Sequence, residues 1–232
     1  MRVSVLIPAY NEEANIEDTI YGIKKVAHRI LPTLRWTIMV IDDGSTDNTL
    51  AKAAQCQVQT LKLSRNLGKG GALRHGLKHA DGDIIMFLDA DLKKSACEAY
   101  KLVLPLINND ADVTIARFKP ADKPGGLGLV KSLAAGGVKF FTGEHLSTAL
   151  SGQRAFKRHV LDNIAPIPDG YSLEVGMLID ILTKGYQVVE VDVDMYHDIT
   201  GRNWPGFAHR GAQFIDILKI LVQKLKERTI GA

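Results

Sequence analysis

The chain has 232 residues, 46% hydrophobic and 24% charged, with a formal net charge of +3, which suits a globular protein with one generous core. So mild a charge, without arginine clusters interleaved with aromatics, excludes nucleic acid as the expected partner. Cys56 and Cys97, far apart and outside any CxxC spacing, read as reduced thiols rather than a disulfide framework or zinc site.

"RVSVLIP" is a β-branched run stopped by Pro8 and predicts a buried strand. Asn11 is the predicted N-cap of a helix whose Ile16, Ile20, Ile23, Ala27 and Ile30 recur at helical spacing. "WTIMVI" predicts a second strand; it runs into "DDGSTDNT", where Thr46 is the predicted cap of the next helix. "QVQTLKL" and "IIMFL" predict strands three and four, with "GKGGALRHGLKHA" as the helix between them, and "ADVTIAR" predicts a fifth strand. This alternation implies an α/β fold, a mostly parallel sheet flanked by helices.

The segment 118–132, "FKPADKPGGLGLVKS", gathers three lysines, two prolines and three glycines and reads as a mobile loop. "SLEVGMLIDILTKG" predicts a helix stopped at Gly185, and "QVVEVDVDM" alternates as a half-buried strand at a sheet edge or in a small second sheet. From about Arg210 to Arg228 the tail reads as an amphipathic helix. Phe214, Ile215, Ile217, Leu218, Leu221, Val222 and Leu225 are set against Lys219, Lys224, Lys226 and Arg228. Three uses of that helix stay open at this point: packing on the sheet, a homodimer interface, or peripheral contact with an anionic bilayer. No run approaches the ~20 apolar residues that span a bilayer, and "MRVSVLIPAYNEE" lacks the features of a signal peptide. A single cytoplasmic domain over 1–232 is expected, at most peripheral to a membrane.

In open α/β sheets ligands bind at the carboxyl ends of the parallel strands, and three predicted strands end in "PAYNEE", "DDGSTD" and "DADL". Asp89 and Asp91 point the same way on an extended backbone. Two carboxylates on one face suit Mg²⁺ or Mn²⁺ held jointly with phosphates. Capping of the next helix is the rival reading of "DAD" by itself. "NLGKGGALRHG" sets Gly68, Gly70 and Gly71 around Lys69 at a helix N-terminus, where free amides and a cation favour a phosphate. It is neither a Walker loop nor a dinucleotide fingerprint.

Taken together, "VSVLIPAYNEE", "MVIDDGSTDNT", "NLGKGGALRHGL" and "GDIIMFLDADL" resemble, in order and spacing, the donor half of the family 2 and related glycosyltransferases of the GT-A fold. "SGQRAFKR", "GYSLEVGMLIDIL" and "VDVDMYHDITGRN" resemble the dolichyl-phosphate sugar synthases and the glucosyl-3-phosphoglycerate synthases. The resemblance implies a donor half over about 1–117 and an acceptor half over about 118–232. It implies that Pro8, Ala9, Tyr10 and Glu12 line a nucleoside site, that Asp42 or Asp43 reaches the base, and that Lys69 lies near the diphosphate. Asp89, Ala90 and Asp91 become the metal-binding "DxD", with His197 completing the Mg²⁺ or Mn²⁺ site. Glu174 faces the sugar and shares the catalytic role with Asp89.

The reaction so implied moves a sugar from a nucleoside-diphosphate sugar, UDP-glucose first, to a phosphorylated acceptor such as polyprenyl phosphate or 3-phosphoglycerate. Such an acceptor needs cations, and Arg154 and Arg202 are the candidates. The "QxxRW" of processive synthases is missing. One rival is a sugar-1-phosphate nucleotidyltransferase, which would want a Gly-rich basic loop where "PAYNEE" stands. The other is a nucleotide-sugar-binding module without turnover.

Overall fold

The computed structural model describes residues 1–119, 128–196 and 204–230. Its first half runs β1 (Arg2–Ala9), α1 (Ile16–Arg29), β2 (Arg35–Asp42), α2 (Thr49–Gln55), β3 (Gln59–Lys62), α3 (Gly68–Leu77) and β4 (Ile84–Phe87). A 3-10 turn, Lys93–Ala99, leads into α4 (Tyr100–Ile107) and β5 (Val113–Phe118). Then come α5 (Leu129–Thr142), β6 (Arg154–Lys157), α6 (Arg158–Asn163), α7 (Leu173–Thr183), β7 (Val188–Val193) and α8 (Trp204–Ile230).

Among the described residues the strands form one sheet in the order β3-β2-β1-β4-β6-β5-β7. β1 pairs in parallel with β2 and β4, and β2 with β3. β6 lies antiparallel between β4 and β5, and β7 closes the edge in parallel with β5. The chain therefore builds to one side of β1 and then returns to place β4 on the other side. Such a reversal opens a crevice beyond the carboxyl ends of the two central strands.

Both faces of the sheet are covered, which is why the central strands read as continuous apolar runs. Val3, Val5 and Ile7 of β1 pack on one face with Ile16, Ile20 and Ile23 of α1 and Leu102 of α4. Leu6 and Phe87 pack on the other with Leu73, Val138, Phe156, Leu178, Ile217 and Ile220. Each such fully buried side chain contributes roughly 1.5–3 kcal/mol of transfer free energy.

Several local expectations are corrected. Asn11 does not cap α1: it sits at φ +56°, and its Oδ1 accepts the Thr46 amide N–H at 2.9 Å, joining two loops instead. Asp47 rather than Thr46 receives the first amide of α2, from Thr49 at 2.9 Å. At the end of α1, Val26 is buried and Ile30 is exposed. The expected loop over 118–132 gives way to α5 from Leu129, while 120–127 lie outside the described residues. β6 has no counterpart among the predicted strands, because a four-residue "RAFK" flanked by cations lacks any strand period. β7 does lie at the sheet edge.

The tail helix begins at Trp204 and packs its inner face on the domain. Leu221 meets Gly137 of α5 so closely that a Cβ on Gly137 would stand 2.5 Å from its Cδ2. Lys224, largely buried, donates to Asp180 of α7 at 2.6 Å and to Glu227 at 3.0 Å. Phe214, Ile215, Leu218, Val222 and Leu225 remain on the outer, exposed face. No helix among the described residues is long and apolar enough to cross a membrane.

Candidate active site

The loops that follow β1 and β2 are laced together at the crevice. The Asp43 amide donates to Ala9 O at 2.8 Å, the Asn11 amide to Ser45 Oγ at 3.0 Å, and the Glu12 amide to Thr49 Oγ1 at 2.7 Å. Ala9 is buried, Pro8 and Glu12 are partly buried, and Tyr10 stands exposed at the rim. Glu12 also accepts from Asn15 Nδ2 at 2.7 Å.

Asp42 and Asp43 are both buried. Asp42 Oδ1 accepts the Ser45 amide at 3.3 Å, and its Oδ2 has no hydrogen-bond partner among the described residues. Asp43 Oδ1 accepts the Leu67 amide at 2.8 Å, fastening the β2 loop to the start of α3. Burial pushes the Asp43 carboxyl above its ordinary value; the Leu67 and Gly68 amides offset part of that, and the charge of Asp42 adds to it.

At the start of α3, Lys69 reaches across the crevice. Its Nζ lies 2.6 Å from Asp89 Oδ1, just beyond β4, and 3.2 Å from Glu174 Oε1 in the first turn of α7. Burial opposes the ammonium charge, but Asp89 and then Glu174 outweigh it and hold Lys69 well above the usual lysine value. Two sequence-distant carboxylates and a lysine are thus brought into one ion cluster. Gly152 forms its floor: a Cβ there would lie 2.2 Å from Lys69 Nζ and 3.4 Å from both Asp89 Oδ2 and Glu174 Oε1.

Asp91 follows on the same loop, which α1 braces through Thr19. The Thr19 hydroxyl donates to Ala90 O and accepts the Lys93 amide, each at 2.7 Å. Among the described residues no three His, Cys, Asp or Glu side chains form a metal-binding group. Asp89 has its Oδ1 on Lys69 and its Oδ2 accepting from Gln153 Nε2 at 2.7 Å. The donor set still fits a hard divalent cation, because Mg²⁺ is typically held by one or two carboxylates together with substrate phosphates and water. Asp91, two residues on from Asp89, is the second carboxylate of that loop. His197 and Arg202 lie outside the described residues. The last residue before that segment, Tyr196, donates its amide to Ser95 Oγ at 3.2 Å, beside the turn that follows Asp91.

Arg154 is placed otherwise than an acceptor-binding arginine would be. It is 2% exposed, and its guanidinium donates to the carbonyls of Ser151 at 2.8 Å, Glu174 at 2.8 Å and Ala149 at 3.0 Å. Burial pushes it down to about 10, with Glu174 partly restoring it. The same stretch supplies two residues that sequence reasoning passed over, Gly152 and Gln153. "SGQR" was visible as a motif, but neither residue carries a charge or a metal-ligand pattern to single it out.

The sequence profile described as Glycosyl transferase family 2 matches residues 4–164. Dolichol-phosphate mannosyltransferase of Pyrococcus furiosus is 28% identical over 214 residues, 87% of this chain and 58% of that protein. Glucosyl-3-phosphoglycerate synthase of Mycobacterium tuberculosis is 30% identical over 203 residues, 78% of this chain and 61% of that protein. The chain thus spans about three fifths of the length of either relative. A crystal structure of the latter synthase with Mn²⁺, UDP and phosphoglyceric acid aligns at a TM-score of 0.80 and 26% identity, covering 96% of this chain and 78% of that one. A second, with Mg²⁺ and UDP, aligns at 0.78 with the same identity, 96% of this chain and 78% of that one being covered.

Proposed function

Because the chain belongs to glycosyl transferase family 2 and has its GT-A fold, we propose that it transfers a sugar from a nucleoside-diphosphate sugar to a phosphate-bearing acceptor. The observation that carries this is the Lys69–Asp89–Glu174 cluster in the crevice beyond β1 and β4, with Asp91 on the adjoining turn. UDP-glucose is the first choice of donor, supported by the uridine nucleotide bound in the aligned synthase structures.

In the reaction the bond between the anomeric carbon and the diphosphate oxygen breaks, its electron pair leaves with the nucleotide, and an acceptor oxygen bonds to the carbon. A phosphate oxygen arrives already anionic, whereas a hydroxyl passes its proton to the departing diphosphate or to a carboxylate. The carbon is oxocarbenium-like at the transition state, and charge grows on the leaving diphosphate. Lys69, held charged, neutralises part of that charge. Glu174, aimed into the same space, faces the sugar. Pro8 to Glu12 and the Asp42–Asp43 loop are proposed to receive the nucleoside. Bound Mg²⁺ or Mn²⁺ would supply Lewis-acid stabilisation of the diphosphate, with Asp91 and His197 as the residues proposed to hold it. Asp89, whose two oxygens accept from Lys69 and Gln153 while each keeps a second lone pair, is proposed to share in holding that ion.

The acceptor is proposed to present a phosphate, with Arg202 as its cation. Arg154, engaged with three carbonyls, instead braces the loop and helix around it. The outer face of α8, with Phe214, Leu218, Val222 and Leu225 beside Lys219 and Lys226, supports a lipid form of the acceptor at an anionic surface. A soluble phosphorylated acid satisfies the same cations without a membrane.

The test begins with thermal shift against a panel of UDP- and GDP-sugars, with and without Mn²⁺. UDP-glucose with Mn²⁺ is expected to raise Tm, and EDTA to cancel the gain. UDP-glucose is then offered with polyprenyl phosphate or with 3-phosphoglycerate, alongside binding to anionic vesicles. Turnover of the lipid with vesicle binding selects the peripheral form; turnover of the soluble acid without it selects the other. No shift with any donor would sink the reading.

A further inference from the structure

Gln153 is 2% exposed, and a buried amide is tolerated only where its polar atoms are satisfied. Among the described residues its side-chain hydrogen bonds both go to one residue: Nε2 donates to Asp89 Oδ2 at 2.7 Å, and Oε1 accepts the Asp89 amide N–H at 3.2 Å. The Gln153 backbone is fixed in turn, its carbonyl accepting the Ala116 amide of β5 at 2.9 Å. Holding one carboxylate oxygen and the backbone of the same residue fixes the carboxylate plane. The other oxygen is thereby aimed, and it meets Lys69 Nζ at 2.6 Å. The neighbours of Gln153 serve the same cluster. Gly152 leaves the space that Lys69 Nζ fills, and Arg154 donates to the carbonyl of Glu174. Three consecutive residues each address one member of the cluster.

We infer that Gln153 is a positioning residue of the site: acting through Asp89, it sets the carboxylate plane that holds Lys69 where the leaving diphosphate is neutralised. The inference rests on the transferase reading above for its consequence in catalysis, and on the geometry alone for its effect on Lys69. A support anchored in the sheet fixes a charged group more tightly than a loop does, and small misplacements of such groups are costly to rate.

Gln153→Met keeps the volume and removes both hydrogen bonds. It is expected to lower kcat by about 30- to 100-fold, with KM for the donor changed by no more than about threefold and Tm by a few degrees. In an Asp89→Asn background the same change should cost nothing further, because the residue it acts through is already altered. Additive losses in the double variant, or a loss that follows the unfolded fraction, would overturn the inference. If the Met variant does not fold, Gln153→Asn, with its amide one methylene too short to reach, carries the same expectation.

A second readout needs no turnover. In ligand-free protein the ¹⁵Nζ resonance of Lys69 should be protected from exchange in the native chain and lost in Gln153→Met. Its persistence there would overturn the inference even if no donor were ever turned over, a failure that counts against the transferase reading alone.

Discussion

Replacing Lys69 with methionine would leave Asp89 and Glu174 converging on the space above Gly152 without the cation that separates them. Two neighbouring carboxylates repel each other once the ammonium no longer lies between them, and protonation at low pH relieves that repulsion. The sign follows from linkage. Groups whose folded value is raised stabilise below their unfolded value, and that contribution is lost as pH rises through the folded one. Lys69→Met should therefore be less stable than the native chain by about 1–3 kcal/mol at pH 7, with the deficit narrowing as pH falls toward about 4. Native Lys69 is itself raised, so its contribution is complete below about pH 10 and lost only above that, leaving the native cluster insensitive near neutrality. Urea denaturation of both proteins across pH checks this, and a pH-independent deficit would contradict the pairing. At this scale the sequence announced Lys69, Asp89 and Glu174 singly, as a phosphate cation, half of a metal motif and a sugar-facing carboxylate. Their mutual contact is a tertiary fact, because each comes from a different element.

Helix α3 is held against the turn before α7 so closely that only glycine fits at the contact. A Cβ on Gly70 would lie 2.1 Å from Pro168 O, a backbone atom that cannot swing aside. Arg74, one turn on, fastens the same contact by donating to Ile167 O at 2.6 Å and Asp169 Oδ1 at 2.5 Å. The two elements locked here carry Lys69 and Glu174. Gly70→Ala should thus cost about 1–3 kcal/mol by overpacking, roughly 2–12 °C in Tm for a chain of this size, and it should lower transfer as well. Gly136 in α5 meets nothing within 4 Å, so Gly136→Ala should instead gain about 0.4–1 kcal/mol through the unfolded chain. Calorimetry on the pair decides: equal effects would remove the close-approach argument. The sequence marked glycines around Lys69 for their freedom near a phosphate. For Gly70 the tertiary reason is the neighbouring backbone, which no local pattern reveals.

On the scale of the whole molecule, the two sequence halves share one sheet. β5 does not pair with β4, its predecessor in the chain; β6, from the second half, lies between them. A fragment ending at residue 117 would expose the edge of β4, with Ile85 and Phe87 stripped of the Phe156 layer. It would also lack Glu174 and Gln153. Such a fragment should fail to fold cooperatively, whereas the intact chain should unfold in one calorimetric transition. Dispersed amide resonances from the fragment would show the halves to be separable.

The sequence by itself determined the α/β alternation and the mostly parallel character of the sheet, because buried strands and amphipathic helices write distinct periods into local composition. It left open which strand pairs with which, so the order of the strands came from the tertiary structure. It also marked the strand-end loops where polar residues interrupt apolar runs, and so located the crevice and most of its charged residues. Tertiary structure decided the antiparallel insertion of β6, the carbonyl-bound place of Arg154 and the role of Gln153 beneath Asp89. The physical reason is one of range. Period and capping act over a few neighbouring residues, whereas a hydrogen bond between residues 89 and 153 depends on how two strands are laid side by side.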